Sequence, residues 1–343
     1  MKITRKQHHV YRKYLSSWTD NKETKGKIWC YFRKNRAIHN PSLMGIAHER
    51  DFYELKELTD LEKIALAFFS KLNDTIKQEL PLFDTLKNVI EIESFNKYLK
   101  NSKLEDKGNQ TLSDFRKQFG EEIQGFYESW GIHYLATLEK KDLEFFLCEK
   151  QRIEFAFFLF MQYARTTRQR KRFVQLYDLI KMSKPIIGKN MEKLAEPLIR
   201  EQVSISIRTA RAQLYEIDHN LKIEKIVPYL IENQVQAMVS LFSILNPMKL
   251  DLLISPPKNH FLTADQPVIN LMADPEYQNI QGHSFYYPIT PELAIRMTQH
   301  SNWQTQILHI SKEEVQSLNE KIAQFSDAQI YACCKEDLEW LLN

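Results

Sequence analysis

Glycine is scarce in this chain, with only 8 residues among 343, and there are 12 prolines. Glycine adopts positive φ without steric cost, so its scarcity disfavours glycine-rich phosphate loops and tight hairpins of the I′ type. A chain with few such positions is expected to be rich in helix. The length allows about two domains, or one large domain with an insertion.

Cysteine is also rare. The four cysteines, Cys30, Cys148, Cys333 and Cys334, form no CxxC pair, and the vicinal pair cannot easily close a disulfide on itself. This usage fits a reducing cytosol. The first residues are cationic and lack the apolar core of a signal peptide. The most apolar run, FAFFLFM at 155–161, is far shorter than the roughly 20 residues of a membrane span. We therefore expect a cytoplasmic protein without membrane association.

Several common catalytic motifs are missing. The sequence contains no GxGxxG, GxxxxGK[ST], HExxH or GxSxG motif and no paired Cys-His zinc spacing. Dinucleotide oxidoreductases, P-loop NTPases, zincins, α/β-hydrolases and zinc fingers are therefore unsupported. The formal charge of +3, from 47 basic and 44 acidic side chains, is too small for a general attraction to nucleic acid. Any site for a polyanion has to be local.

Hydrophobic periodicity divides the chain into three regions. Residues 1–58 contain an N-terminal arm and a predicted β-hairpin at KIWCYFR; residues 59–245 show helical spacing; residues 246–343 return largely to the period of two that is typical of strands. A single hairpin is marginally stable alone, so its natural partner is the C-terminal sheet. We therefore predict an α+β fold, predominantly α, with a helical middle region and one small sheet formed by N-terminal and C-terminal strands.

Local signals refine this outline. The polar stretch 101–112 is typical of an exposed loop, and KLDLLIS and HFLTADQPVINL are predicted to be two strands joined by a turn. Ser311 with Glu314 three residues later is a capping box, which predicts a helix from Ser311 to Ala323. The segment QIYACC is predicted to be the last strand.

The first candidate site residues are His8 and His9 in the segment TRKQHHVYRKYLSSW. Adjacent side chains diverge by about 100° on a helix and about 180° on a strand, so at most one of them serves a given site. An imidazole suits general-base catalysis or metal ligation because it titrates near neutral pH. The alternative is a solvated or hydrogen-bonded arm. Asp265, in TADQPV, has the same two readings: a base or metal ligand at a strand end, or a carboxylate that caps a turn.

The segment FAFFLFMQYARTTRQRKRF is apolar on every side for almost two turns, which predicts a buried central helix. Gln162 and Arg165 lie one turn apart and are expected to point into a polar pocket. A buried arginine needs a partner, and the candidates are Glu154 or an external anion such as phosphate.

Two sets of basic residues follow the central helix. Arg168, Arg170, Lys171 and Arg172 are interpreted as a solvated basic helix C-terminus. Arg208 and Arg211 form part of a second stripe that either binds phosphate or pairs with neighbouring acidic residues.

The order of several blocks resembles a family. The blocks are QHHVYRKYLSSW, KIWCYFR, ERDFYEL, MQYARTTRQR, FLTADQPV and FYYPITP. Together they resemble the uncharacterised, mainly bacterial family catalogued as domain of unknown function 4238, over most of the chain. The resemblance implies that His8 is the family histidine, with Asp265 in an Asp-x-Pro-Val block and Arg165 and Arg170 in an Arg-Thr-Pro-x-x-Arg block. Tyr11 and Thr167 stand where the family has proline. The resemblance supplies no reaction.

These residues lead to one preferred function and two alternatives. The preferred function is a phosphodiesterase or nuclease-like hydrolase, for example a bacterial toxin or a phage-defence effector. In it His8 and Asp265 are catalytic, and the ligand contacts Gln7, Gln162, Arg165, Arg170, Arg208 and Arg211. A divalent metal is a candidate cofactor, and nucleic acid or a nucleotide a candidate partner. The alternatives are a module that binds nucleic acid or an anionic ligand without turnover, and a structural interaction protein in which the same groups form a buried network.

Overall fold

The chain divides into two compact units. The computed structural model describes residues 6–19, 26–59, 105–182, 223–276 and 280–342. The first unit consists of 1–4, 53–121 and 169–237, and the second of 5–52, 122–168 and 238–343. The second unit is built from three separate stretches of chain and contains all the strands described below.

Strands occur in both the N-terminal and the C-terminal described ranges. The strands are β1 (Lys6–His8), β2 (Trp29–Phe32), β3 (Ala37–His39), β4 (His48–Arg50), β5 (Met248–Ile254), β6 (Thr263–Ala264), β7 (Ile269–Asn270), β8 (Ser284–Pro288), β9 (Leu293–Gln299), β10 (Gln304–His309) and β11 (Gln329–Ala332). The helices are α1 (Arg12–Leu15), α2 (Glu105–Glu139), α3 (Glu149–Ala164), α4 (Thr167–Met182), α5 (Ile223–Ser240) and α6 (Lys312–Phe325), and a 3-10 helix, Glu336–Leu342, follows β11.

Three sheets lie in the second unit, so the prediction of one small sheet shared by the two chain ends is wrong. β1 and β4 form a two-stranded sheet, and the order β3-β2-β11-β6 forms a four-stranded sheet that joins N-terminal to C-terminal strands. The order β10-β5-β9-β8-β7 forms a five-stranded sheet from C-terminal strands alone. The C-terminal region contains enough strands to form a sheet of its own, whereas the prediction placed its strands in one sheet shared with the N-terminal region.

The five-stranded sheet is mixed. β5 pairs antiparallel with β9 over seven residues and parallel with β10, and β8 joins β9 to the short edge strand β7. KLDLLIS, predicted as one strand, forms β5, whereas HFLTADQPVINL, predicted as a second strand, forms two short strands, β6 and β7, and β6 belongs to a different sheet from β5. The Pro256-Pro257 pair prevents a tight two-residue hairpin there and lets the chain change sheets.

The predicted central helix is confirmed as α3. Its residues from Phe155 to Ala164 are all buried, as expected of a helix that is apolar on every side. α3 ends at Arg165 and a new helix, α4, begins at Thr167. Arg168 is therefore near a helix N-terminus, which corrects the interpretation of a basic helix C-terminus. Its guanidinium donates to the carbonyls of Phe325 and Ser326 at the end of α6.

Other local predictions have mixed outcomes. The hairpin at KIWCYFR forms as β2 and β3, and the Ser311 hydroxyl accepts the Glu314 N–H at the start of α6. The loop predicted at 101–112 is wrong from residue 105 onward, because that part belongs to α2. Predicted helices that fall within 60–104 and 183–222 lie outside the described residues.

The first unit is helical in its described part. A turn at 51–53 follows β4, and the Leu55 N–H donates to the Arg116 carbonyl of α2 at 2.9 Å. The Tyr229 hydroxyl of α5 donates to the Lys56 carbonyl at 3.4 Å. No helix in the described ranges is both long and apolar enough to cross a bilayer.

Candidate functional site

The N-terminal arm is held in place by strand pairing. β1 runs antiparallel to β4 with His8 opposite His48 and Gln7 opposite Glu49, and the two histidine rings meet edge-on with centroids 5.4 Å apart. Gln7 is fully buried. His9 is also buried and lies against the Phe52 ring. The two histidines therefore face different surroundings, as their adjacency on a strand requires.

The His8 ring is oriented by a main-chain carbonyl. Its Nε2 atom lies 3.3 Å from the Leu43 carbonyl oxygen. Because a carbonyl oxygen only accepts hydrogen bonds, Nε2 carries the proton and Nδ1 is the basic nitrogen of the neutral ring. Burial, reinforced by the charge of Arg12, lowers the pKa of His8 to about 4, and His48 and Arg165 act in the same direction. At neutral pH this imidazole is uncharged and weakly basic.

Arg12 is the cation nearest in sequence to these histidines. It lies at the start of α1, and its Nη1 donates to the Met44 sulfur at 2.7 Å. A thioether is a weak acceptor. Among the described residues Arg12 forms no ion pair within bonding distance. Burial raises the pKa of the Glu128 carboxyl, and the charge of Arg12, after that of Arg165, opposes this rise. A partly exposed guanidinium thus lies beside a neutral histidine.

Arg165 sits at the buried side of this group. Its side chain is 0% exposed, and its Nη1 donates to Glu128 Oε1 at 2.6 Å, where the glutamate side chain is 19% exposed. Gln124 and Gln162 each accept a further hydrogen bond from the same guanidinium, at 3.2 and 2.7 Å. Arg165 and Gln162 therefore do point inward, as predicted, but the partner is Glu128. Glu154 instead accepts the Tyr134 hydroxyl at 2.6 Å.

Two tyrosines complete the surroundings of this ion pair. Burial and the nearby Glu128 charge raise the pKa of Tyr11 to about 12. Tyr287 is fully buried, stacks on Tyr14 at 4.8 Å, and has a hydroxyl without a hydrogen-bond partner within the described ranges. The charges of Arg165 and Glu128 both act on that hydroxyl. A buried donor therefore remains available near the ion pair.

Asp265 has a different environment. Its Oδ1 accepts the Asp327 N–H at 2.8 Å, and its Oδ2 accepts the N–H groups of Ala328 and Gln329 at 2.6 and 2.9 Å. Its main-chain N–H donates to the Gln329 carbonyl at 3.0 Å. Both carboxylate oxygens thus cap the turn that leads into β11. Burial still dominates and raises the pKa of Asp265 to about 6.

The neighbouring Gln266 makes the contact with the arginine block. It is fully buried and accepts a short hydrogen bond from the Thr166 hydroxyl. Its amide group donates to the carbonyls of Tyr163 and Val268 at 3.2 and 2.7 Å. The TADQPV and ARTTRQR blocks therefore meet, through Gln266 and Thr166.

The remaining predicted binding residues lie elsewhere. Arg170 belongs to the first unit, where its guanidinium lies 5.7 Å from the Tyr53 ring centroid. Arg208 and Arg211 lie outside the described residues. The second unit thus brings together His8, Gln7, Gln162 and Arg165 with four side chains that sequence reasoning missed, namely Tyr11, Arg12, His48 and Glu128.

The sequence does contain a signal for one of these four residues, Glu128. Gln124 and Glu128 are four residues apart, which places them on one face of α2. Polar side chains at that spacing in an aromatic-rich helix indicate a polar strip facing inward, and this strip is what holds Arg165.

A family model described as "Protein of unknown function (DUF4238)" matches residues 6–336, nearly the whole chain. The chain belongs to this family. No curated protein and no solved structure matches the chain. Membership in DUF4238 confirms the resemblance seen in the ordered sequence blocks, and it brings no reaction, substrate or cofactor with it. The function has to be argued from the site itself.

Proposed function

We propose that this protein binds a phosphate-bearing ligand, a nucleotide or nucleic acid, at the cluster of His8, Tyr11, Arg12, His48 and Arg165, called here the histidine-arginine cluster. The observation that carries the proposal is Arg12, a partly exposed guanidinium beside a neutral histidine, with a thioether as its bonded partner. Arginine presents several N–H donors that match phosphate oxygens, and histidine adds a further donor or acceptor.

Electrostatics supports an anion in this position. Burial is the main cause of the low pKa of His8, and the charges of Arg12 and Arg165 act in the same direction, so two guanidinium groups favour an anion near the ring. A positive, partly enclosed position attracts anions and strengthens their hydrogen bonds. The Tyr287 hydroxyl offers an additional buried donor for a polar group or a water that accompanies it.

We infer hydrolysis of a phosphodiester as the finer form of this function, with His8 as the acid–base residue. A bound phosphodiester offsets the neighbouring cations and raises the pKa of His8 from about 4 toward neutrality, where proton transfer is most efficient. Nδ1 would then accept a proton from the attacking water as the new P–O bond forms and return it to the leaving oxygen as the old P–O bond breaks, while Nε2 stays anchored on the Leu43 carbonyl. Arg12 would stabilise the charge that develops on the phosphate oxygens.

The low pKa of His8 in the absence of ligand also favours a second candidate, binding without turnover. A histidine with a pKa of about 4 is a poor general base at neutral pH, yet it still offers hydrogen bonds to an anion. Both candidates use the same cluster and differ only in whether product forms.

The binding test compares two cations on α1. Arg12→Gln is expected to weaken binding of a fluorescein-labelled single-stranded RNA about tenfold, or about 1.4 kcal/mol, and to lower the salt slope by about one. Lys13→Gln removes the same charge from an exposed neighbour in the same short helix and is expected to change affinity less than about twofold. Equal losses in the two variants, or no binding by the wild type, would refute the proposal.

The hydrolysis test uses the same proteins with RNA, DNA and nucleotide substrates, and mass spectrometry of the products. His8→Gln is expected to abolish product formation while RNA affinity falls only modestly, since Gln retains hydrogen-bonding atoms. Cleavage that survives in His8→Gln at the wild-type rate would assign the activity to other residues or to a contaminant. Tight binding without product in the wild type would select binding without turnover.

A further inference from the structure

A second group of chemically active side chains lies at the C-terminal end of the second unit. His260 precedes β6, Cys333 and Cys334 directly follow β11, and Asp337 lies in the 3-10 helix Glu336–Leu342. Their four ligand atoms, Nδ1, two Sγ and one carboxylate oxygen, all lie within 4.8 Å of one another. This group, called here the thiol cluster, takes no part in the histidine-arginine cluster.

We propose that the thiol cluster is a Zn²⁺ site in which all four side chains are ligands. Tetrahedral zinc has Zn–S bonds of about 2.3 Å and Zn–N and Zn–O bonds of about 2.0 to 2.2 Å, which set the ligand atoms roughly 3.3 to 3.8 Å apart. Asp337 Oδ2 lies 2.9 Å from His260 Nδ1, 2.9 Å from Cys334 Sγ and 3.7 Å from Cys333 Sγ. Cys334 Sγ lies 3.9 Å from His260 Nδ1. In a tetrahedral shell the Asp337–His260 and Asp337–Cys334 separations would lengthen by about 0.4 and about 0.7 Å, and the other two would change by about 0.4 Å or less.

The donor set selects the metal. Two thiolates and an imidazole are soft or intermediate ligands that favour zinc, whereas Mg²⁺ and Ca²⁺ require shells of oxygen. The acidic side chains of Glu292 and Glu336 also exert their charge on the two thiols. A divalent cation at this point is therefore favoured by its wider surroundings as well as by its ligands.

The ligands are supported by contacts that fix their backbone. Asn319 of α6 brackets His260: its amide donates to the His260 carbonyl at 2.8 Å and its oxygen accepts the Leu262 N–H at 2.8 Å. The Trp340 indole donates to the Asp337 carbonyl at 2.8 Å, and Leu338 beside it is fully buried. Such outer contacts hold ligands in position before the metal arrives.

The site has a structural purpose in this arrangement. Four protein ligands leave no open position for substrate, which is the arrangement of structural zinc sites. The metal would join three chain segments, namely the connection before β6, the end of β11 and the C-terminal 3-10 helix. Such a link would stabilise the docking of the seven-residue 3-10 helix on these two segments.

The first test measures metal on the wild-type full chain in a reducing buffer. We expect about one zinc per chain by mass spectrometry of the metal content, and a Co²⁺-substituted protein with the intense visible bands of a tetrahedral thiolate site. Cobalt bands of an octahedral type, or no retention of zinc after gel filtration, would overturn the proposal. This measurement needs no variant and so does not depend on whether a variant folds.

The second test assigns the ligands. Cys334→Ser and His260→Gln are each expected to weaken zinc binding at least about 100-fold in a chelator competition, since each removes one of four direct ligands. The matched control is Cys148→Ser, because Cys148 is an exposed free thiol outside the cluster and its loss should leave zinc affinity unchanged. Equal zinc affinity in Cys334→Ser and Cys148→Ser, with circular dichroism confirming that both are folded, would refute the assignment.

The third readout is stability. Chelation of zinc from the wild type is expected to lower the melting temperature, and the same chelator should leave the melting temperature of Cys334→Ser unchanged. A chelator effect of equal size in both proteins would place the stabilising metal elsewhere.

Discussion

The buried ion pair between Arg165 and Glu128 allows a quantitative test of how the histidine-arginine cluster is held together. Glu128→Gln removes the charge that faces a fully buried guanidinium and keeps an oxygen that still accepts a hydrogen bond. Breaking a buried pair by removing one partner costs about 3 to 5 kcal/mol. Because Gln124 and Gln162 remain hydrogen-bonded to Arg165, the lower end applies, about 3 kcal/mol.

The assay is urea unfolding followed by circular dichroism, with the melting temperature as a second measure. A loss of about 3 kcal/mol corresponds to a decrease in melting temperature of roughly 4 °C for a chain of this size, because the entropy of unfolding grows with chain length. The matched control is Glu122→Gln, an exposed glutamate on the same helix, which is expected to change stability by less than about 0.5 kcal/mol. Equal effects in the two variants would refute the view that Glu128 neutralises Arg165.

A double variant separates stability from ligand binding. Replacing both members, Arg165→Met with Glu128→Leu, removes the charges together, and such replacements are often neutral or stabilising. We expect the double variant to recover most of the stability lost in Glu128→Gln. If Arg165 contributes to the positive potential at His8, the double variant should nevertheless bind RNA more weakly than the wild type. A double variant whose loss equals the sum of the losses in Arg165→Met and Glu128→Leu would show that the two side chains are not energetically coupled.

The remaining predictions concern pH and packing. The His8 pKa is lowered from 6.5 to about 4, so its contribution to stability is present above pH 6.5 and is lost as the pH falls toward 4. His8→Gln should remove this acid sensitivity. The expected size of the effect is about 1 to 2 kcal/mol after allowing for solvent screening. The Asp265 pKa is raised from 3.8 to about 6, so its contribution to stability has the opposite sign: it is present below pH 3.8 and is lost as the pH rises through 6. Asp265→Asn should therefore lose stability relative to the wild type as the pH falls from 6 to 4. The melting temperatures of the two proteins measure this difference. Gly131→Ala places a methyl group 2.2 Å from the Phe158 ring and is expected to cost about 1 to 3 kcal/mol, whereas Gly125→Ala, with open space around it on the same helix, should gain about 1 kcal/mol in urea unfolding.

Elements with strong local signals could be predicted from the sequence. The central helix α3 followed from an unbroken apolar run, and α6 followed from its capping box, because both signals act over a few residues. The three sheets could not be predicted in the same way. Which strands pair depends on contacts across the whole chain, such as β2 with β11, and short strands with alternating side chains fit several partners equally well.

The sequence predicts that Arg165 is buried and needs a partner, but it does not identify Glu128 as that partner. Arg165 stood out because a charge after a buried run needs neutralisation, but α2 and α3 had to be packed together before Glu128 could be identified. The thiol cluster was even less predictable from the sequence. His260 is more than 70 residues from Cys333, so no zinc spacing exists in the sequence, and only the pairing of β11 with β6 brings the two segments together.

The geometry of Asp265 changes how a hydrolase at this site would have to work. Both of its oxygens accept main-chain N–H groups at the start of β11, and the described contact of the His8 ring nitrogen is with the Leu43 carbonyl, an uncharged group. A carboxylate partner would stabilise the protonated imidazole, and a carbonyl does so only weakly. The negative charge of the substrate then has to supply the missing stabilisation. In the proposed hydrolase His8 would therefore act as a base while a phosphodiester is bound, so that binding at Arg12 would be a condition for catalysis as well as for recognition.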